Sequence, residues 1–405
     1  MVNFINGGVT APKGFKASGI HCGIRKNKTK RDLALIVADT ECDAAAVYTR
    51  NLVYGAPITV TRNNIADGKA RAIICNSGIA NTCNADGVEK AELMCSLAAD
   101  ATGLNATDFV VASTGVIGQP IVIEPIKNGL PELVKELSLD GSNNAAEAIM
   151  TTDTVKKEFA VEFTLGGKTC KIGAISKGSG MIHPNMATML CFITTDANIE
   201  SKMLKSALLD VVDDSFNMLS VDGDTSTNDT VAILASGKAE NKRIEEKNDD
   251  YNTFVSALAT ISEKIVKLMA KDGEGATKLV ECQVSGGKTE EIARACAKSV
   301  ICSSLVKAAM FGADANWGRI LCALGYSGVD IDVNKVDVYF KSRGGEILVC
   351  KDGAGVEFSE ELAKEILVKD EVYIIVKLND GEFSANAYGC DLTYDYVKIN
   401  GDYRT

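Results

Sequence analysis

The chain has 405 residues, 46% of them hydrophobic and 24% charged, enough apolar material for the cores of two domains and no compositional sign of disorder. Asp and Glu outnumber Lys and Arg by 54 to 43, a formal net charge of −11, which leaves no overall basic footprint for nucleic acid and no cationic face for an anionic membrane. The N-terminal segment lacks a basic stretch followed by an apolar one, and no charge-free apolar run is long enough to cross a bilayer, so a cytoplasmic address is expected.

Four early runs, LALIVAD (33–39), AAAVYTR (44–50), PITVTRN (57–63) and RAIICNSG (71–78), read as strands, being rich in apolar and β-branched residues and set off by turn residues. A helix is expected from Gly87 to about Thr102, with Leu93, Leu97 and Ala101 on one stripe and Gly103 as its C-cap. DFVVAST makes a strand running into Gly115, and residues 123–137 read as helical pieces broken at Gly129 and Pro131. Residues 161–180 form a predicted hairpin about a Gly-Gly turn, and TMLCFITTDANI is a strongly apolar strand. Residues 201–223 follow as a long helix, then VAILAS as a strand, then residues 251–273 as a helix whose stripe of Phe254, Leu258, Ile261, Ile265 and Leu268 belongs to a core. The last third holds a predicted helix over 289–310, strands at VDVYFK and EVYIIVKL, and a polar tail. Hairpins mixed with crossovers argue for α+β layers, with a division near residues 280–290 where CQVSGGKTE offers a turn.

The thirteen cysteines are scattered without a CxxC pair, which fits free thiols rather than a disulfide framework. The only two histidines, His21 and His183, are far apart, so no metal site is expected, and His183 beside Pro184 is read as a hydrogen-bonding residue. The glycine-rich strings GGVTAPKG and KDGEGATK lack the spacing of a nucleotide phosphate loop, and no G-x-S-x-G nucleophile elbow is present.

The most informative segment is SKGSGMIHPNMATMLCFITTD (176–196), where glycine and proline breaks lead to a small pair, Ala187-Thr188, at the mouth of an apolar strand. A hydroxyl needs a neighbouring base to act as a nucleophile, and a threonine at a chain terminus carries one in its own α-amino group, which titrates near ~7.7–8.0. An internal Thr188 would first have to attack the carbonyl of Ala187, and strain in the loop would favour that step. Taken alone, a Thr after Ala at the start of a strand is usually only a β-former.

GSGMIHPNMATML resembles, almost residue for residue, the self-processing signature of the ornithine acetyltransferase family. The similarity runs end to end, through GGVTAPKGFKASGI, AAAVYTRN, RAIICNSGIANTCN, VASTGVIGQP, IMTTDT, VDGDTSTNDT, AKDGEGATKL, FGADANWGRI and YVKINGDYRT. It implies Thr188 as nucleophile after a cut between Ala187 and Thr188, with Thr114 and Gly115 as the oxyanion hole, a hydroxyl and a backbone N–H at a glycine being suitable donors. Substrate contacts carried over from the family fall on Thr154, Lys177, Thr188, Glu274, Asn400 and Thr405. Lys177 would meet a carboxylate and Glu274 the side-chain ammonium of ornithine. One departure is Ile79 in NSGIAN, where a second asparagine is expected. Trp317 in FGADANWGRI is read at least as readily as part of a structural turn as a substrate contact.

The resemblance further implies an α+β fold of the layered α/β/β/α type with a smaller C-terminal α/β domain. The chain would be divided into an α chain (1–187) and a β chain (188–405), of which 188–285 completes the main sandwich and 286–405 forms the smaller domain. The implied reaction passes an acetyl group from N-acetylornithine to glutamate through an ester on Thr188, with acetyl-CoA as a further donor, no metal and no coenzyme, and two α and two β chains assembled together. A hydrolase using water as acceptor, as in aminopeptidases of the same fold, and a binding protein that never cleaves are the rival readings.

Overall fold

The structure is a computed structural model that describes residues 1–183 and 189–402. The chain opens with β1 (Asn3–Ile5), β2 (Phe15–Ile20) and β3 (Leu33–Tyr48), then α1 (Ala56–Asn64), β4 (Lys69–Ile79), α2 (Gly87–Thr102), β5 (Phe109–Val116), α3 (Ile123–Lys135) and α4 (Ser142–Ile149). The hairpin β6 (Lys157–Leu165) and β7 (Lys168–Lys177) turns on Gly166 and Gly167, both at positive φ as a two-residue turn requires. After the site loop come β8 (Leu190–Thr195), α5 (Ser201–Asp214), β9 (Leu219–Ser220), β10 (Thr230–Ala235) and α6 (Asp249–Lys271). The remainder is β11 (Leu279–Gly287), α7 (Glu290–Cys302), α8 (Ser304–Phe311), α9 (Trp317–Gly325), β12 (Asp337–Ser342), β13 (Gly345–Lys351), β14 (Ala354–Gly355), α10 (Glu360–Leu367), β15 (Glu371–Lys377), β16 (Phe383–Cys390) and α11 (Tyr394–Gly401).

The first sheet runs β1-β6-β7-β8-β10-β3-β4-β5, with β2 added on β3. β3 spans both runs read as separate strands at 33–39 and 44–50, and its register against β4 shifts between Val37 and Cys42. Its first half pairs with β2 and its second half with β10. The sheet thereby folds over on itself. Ala34, Ile36, Ile73, Cys75, Val110 and Ala112 pack in one buried cluster with Ile175, Leu190, Phe192, Ala232 and Leu234 from the other half. Alternate residues of the same strands point outwards, as the period of two dictates: Leu33, Leu35, Ala72, Ile74 and Val111 share a cluster with α2 and α3, while Cys191, Ile193, Val231 and Ile233 share one with α5 and α6. The result is the expected α/β/β/α sandwich.

The second sheet has the order β14-β13-β12-β15-β11-β16-β9 and is covered by α7 and α10. It takes in β11 and the short β9, so the sheet boundary lies ahead of Leu279 rather than at 285/286, because β11 finds its partners in β15 and β16. Its interior is continuous with the cluster under α5 and α6.

Other local readings shift as well. Residues 57–63 form helix α1 instead of a strand: Pro57 sits in the first turn, where its missing N–H costs nothing, and the β-branched side chains Ile58, Val60 and Thr61 are buried. In α2 the buried face is Ala91, Met94, Cys95, Ala98 and Ala99, mostly small residues that let α1 and α3 approach, while Leu93 is exposed. α3 is one helix through Gly129 and Pro131, and a Cβ on Gly129 would come within 2.5 Å of Cys22 Cβ, so the glycine is there for close packing. The expected helix over 289–310 is two, parted at Ser303, whose side chain caps α8. The polar tail is helical as α11. All thirteen cysteines are free. Among the described residues no single helix is long and apolar enough to cross a membrane.

Candidate active site

The carried-over residues that can be described gather where the two β layers meet at one edge of the sandwich. Thr114 and Gly115 end β5 in one layer, opposite Ser77 and Gly78 of β4. Lys177 ends β7 in the other layer, opposite Leu190, the first residue of β8. Thr114, Lys177, Gly180, Met181, Met189, Asn228 and Asp229 line one recess. Gly115 has φ +133°, and a Cβ there would lie 2.2 Å from the Gly78 carbonyl carbon, so only glycine fits. Ala187, Thr188 and Thr405 lie outside the described residues.

Asn228 ties the layers together. Its side-chain amide donates to the carbonyl oxygens of Ala80 (2.6 Å) and Ser113 (2.9 Å) in one layer, while its backbone leads directly into β10 of the other. Its Oδ1 accepts from Thr82 Oγ1 (2.7 Å) and Thr227 Oγ1 (2.6 Å). Next to it, Asp229 is buried, with Ser226 and Lys177 near its carboxylate. Burial pushes its carboxyl well above the usual range, against the opposing pull of Ser226 and Lys177.

Beneath the recess sits a buried charge cluster. The Lys157 ammonium, with no exposure, lies 2.7 Å from Asp153 and 2.5 Å from Asp272. Burial alone would raise the Asp153 carboxyl. Lys157, Lys177 and a hydrogen bond from Gly178 N–H (2.8 Å) outweigh it and hold the group well below the usual carboxylate range. Lys177 is itself pushed down by burial, with Asp153, Asp229 and Glu274 acting to keep it charged. Thr154 donates its hydroxyl to Asp272, which anchors it to the cluster. Glu274 lies against Gly180, where a Cβ would come within 2.3 Å of its carboxylate, and accepts 2.7 Å from Asn400 Nδ2 on α11. Thr154, Lys177, Glu274 and Asn400 are thus linked through one network, although they come from four distant parts of the chain.

The start of the site loop is held firmly. Ser179 Oγ donates to Asp272 O (2.6 Å), Glu274 N–H to Ser179 O (2.9 Å), and the N–H groups of Met181 and Ile182 to the Asp222 carboxylate (2.6 and 2.8 Å). Met181 takes φ +54°, a left-handed conformation that costs energy outside glycine. His183 Nδ1 is 3.1 Å from Ser220 Oγ, and burial with Lys298 nearby lowers its pKa to about 4, so at neutral pH it is an uncharged hydrogen-bonding group.

Ile79 packs in the cluster under α2 and α3, and its carbonyl accepts from Asn76 Nδ2 (3.0 Å). Trp317 opens α9 with its ring so close to β14 that a Cβ at Gly355 would come within 2.4 Å of it, a structural role. Asp153, Lys157, Asp272, Asn228 and Asp229 were not singled out in the sequence. Four of them stand in blocks already recognised there, TTDT, TSTNDT and KDGEGA, so the signal was present.

With this geometry in place, comparison with known proteins is decisive. The ArgJ family model matches residues 16–405. The chain belongs to the ArgJ family. Like its relatives of that family, it aligns end to end: it is 48% identical over 405 residues, all of both chains, to an arginine biosynthesis bifunctional protein ArgJ from Caldanaerobacter subterraneus subsp. tengcongensis. It is 50% identical over 401 residues to ArgJ 1 of Clostridium acetobutylicum, covering 99% of this chain and 98% of that one. A crystal structure of ArgJ from Bacillus halodurans is 46% identical with a TM-score of 0.50, and the match covers 98% of that chain but 52% of this one.

Proposed function

We propose that this ArgJ-family chain cuts itself between Ala187 and Thr188 and then carries an acetyl group on Thr188 from N-acetylornithine to glutamate, giving ornithine and N-acetylglutamate for arginine synthesis. Acetyl-CoA serves as a second donor, and no metal or coenzyme takes part in the exchange. The observation that carries this reading is the convergence of Thr114 and Lys177 on the recess at the mouth of β8, the strand that follows Thr188, with Gly115 next to Thr114 at the end of β5.

In the first reaction Thr188 Oγ attacks the Ala187 carbonyl, the peptide C–N bond breaks to leave an ester and free the Thr188 amine, and water cleaves the ester to give the Ala187 carboxylate and restore the Thr188 hydroxyl. The strained Met181 and the Asp222 clamp upstream fit a loop set up for this step. The pieces would stay together, because β8 and β10 lie between β7 and β3 in one sheet. Two copies of each piece make up the assembly.

In the second reaction the Thr188 amine takes the hydroxyl proton as Oγ attacks the acetyl carbonyl, with Thr114 and Gly115 donating to the oxyanion. The amide C–N bond breaks, ornithine leaves with the proton, and glutamate's amine repeats the steps in reverse. Lys177 binds the substrate carboxylate and Glu274 the ornithine ammonium. Asn400, whose amide both donates and accepts, suits a site that takes a cationic side chain in one half-reaction and an anionic one in the other. The test is transfer of labelled acetyl from N-acetylornithine with glutamate varied. Parallel reciprocal plots and label in N-acetylglutamate are expected, with Thr188→Ala inactive and uncut; label released to water at the same rate without glutamate would make the protein a hydrolase.

A further inference from the structure

Within a chain of net charge −11, residues 25–31 read Arg-Lys-Asn-Lys-Thr-Lys-Arg, five cations in seven positions without an acid. The segment is a built loop. It closes around the fully buried Asp32, whose carboxylate accepts from the N–H groups of Cys22 (2.6 Å), Gly23 (3.2 Å) and Arg25 (3.0 Å). Lys26 and Lys30 are exposed, and among the described residues neither has a carboxylate within ion-pair distance.

These cations border a cavity of about 470 Å³, together with Gly78, Ile79, Gln119 and Thr151. The cavity adjoins the acyl site through two close approaches. A Cβ on Gly78 would lie 2.9 Å from Arg25 Cγ, and one on Gly115 would lie 2.3 Å from the Gly78 carbonyl oxygen. One wall of the cavity is therefore the backbone that backs the proposed oxyanion hole. Its size suits part of a cofactor-sized ligand, and its cations suit phosphate. Glutamate and N-acetylornithine carry no phosphate. A coenzyme A thioester does, and its acyl group must reach the same nucleophile.

We propose that this cavity is the acyl-CoA subsite, with Lys26 and Lys30 holding phosphate groups of the ligand and its arm running past Gly78 toward Gly115. The assignment rests on the reading that acetyl-CoA is a donor. Without local cations a strongly anionic chain would repel such a ligand, which gives the basic loop its purpose.

The test is calorimetric titration of the cleaved protein with coenzyme A, alongside kinetics of both reactions, in wild type and in Lys26→Ala/Lys30→Ala. Loss of charge-assisted bonds predicts Kd for coenzyme A and KM for acetyl-CoA each weaker by roughly tenfold or more. N-acetylornithine-to-glutamate exchange is expected to stay at its wild-type rate. A coenzyme A Kd unchanged in the variant, no binding to wild type, or a KM for glutamate in the exchange that rises in parallel would overturn the assignment. Lysine-dependent binding of coenzyme A without acetylation from acetyl-CoA would keep the subsite and remove the donor reading.

Discussion

The two sheets of this molecule bury charge to different degrees. At the edge of the first, Lys157, Asp153 and Asp272 are sealed from water under the recess, with Lys177 and Asp229 beside them. In the second, Val338, Phe340, Ile374 and Val376 belong to an apolar interior, the buried Glu281 of β11 is met by the partly exposed Lys267 (3.1 Å), and ion pairs such as Lys335–Asp380 and Lys341–Glu346 stand at the rim. A buried charge is tolerated only where hydrogen bonds and counter-charges surround it, so the contrast separates a sheet edge shaped for chemistry from a sheet shaped for packing.

The sharpest way to break this comparison is to remove one charge from each place. Lys157→Met leaves Asp153 and Asp272 facing each other in the interior and is expected to cost about 3–5 kcal/mol, read as a fall in Tm and in denaturant midpoint. Lys335→Ala on the rim should leave Tm unchanged. At the catalytic edge, Thr114→Val keeps the shape but removes a donor, and kcat for acetyl exchange should drop by about 10²–10³-fold with little change in Tm. Asn228→Ala strips hydrogen bonds from the buried carbonyls of Ala80 and Ser113 that join the β layers, a loss of roughly 1–3 kcal/mol measured by denaturant unfolding.

The last expected effect is a pH dependence from His183. Its folded pKa of about 4 lies below the ordinary 6.5, so between these values the unfolded chain binds more protons. Stability from this group is complete above pH 6.5 and falls as the pH drops toward 4. His183→Gln should flatten that part of the Tm-versus-pH curve.

Much of the sandwich was legible because its strands are apolar runs of the right length: 33–48, 69–79, 109–116 and 190–195 all carry the signal. The failures have local causes. At 57–63 the β-branched residues that favour a strand are buried in a helix started by Pro57, and in α2 the larger leucines drew attention from an Ala- and Cys-lined face that packs more closely. In the active site, residues in distinctive blocks could be placed by resemblance. Asp153 and Asp272 stand in such blocks, yet neither they nor Lys157 were singled out, because a charged residue in a sequence gives no sign of whether water reaches it. The basic loop at 25–31 was hidden by the acidic total, an average that says nothing about where charge collects.

Everything proposed for the catalytic edge depends on a free Thr188. Denaturing mass spectrometry of the purified protein, alone, with N-acetylornithine and then with glutamate, tests this directly. The account predicts two pieces, one ending at Ala187 and one beginning at Thr188, with an acetyl adduct on the second that glutamate removes as N-acetylglutamate. A single uncut chain, or cut pieces with no adduct on the second, would contradict it.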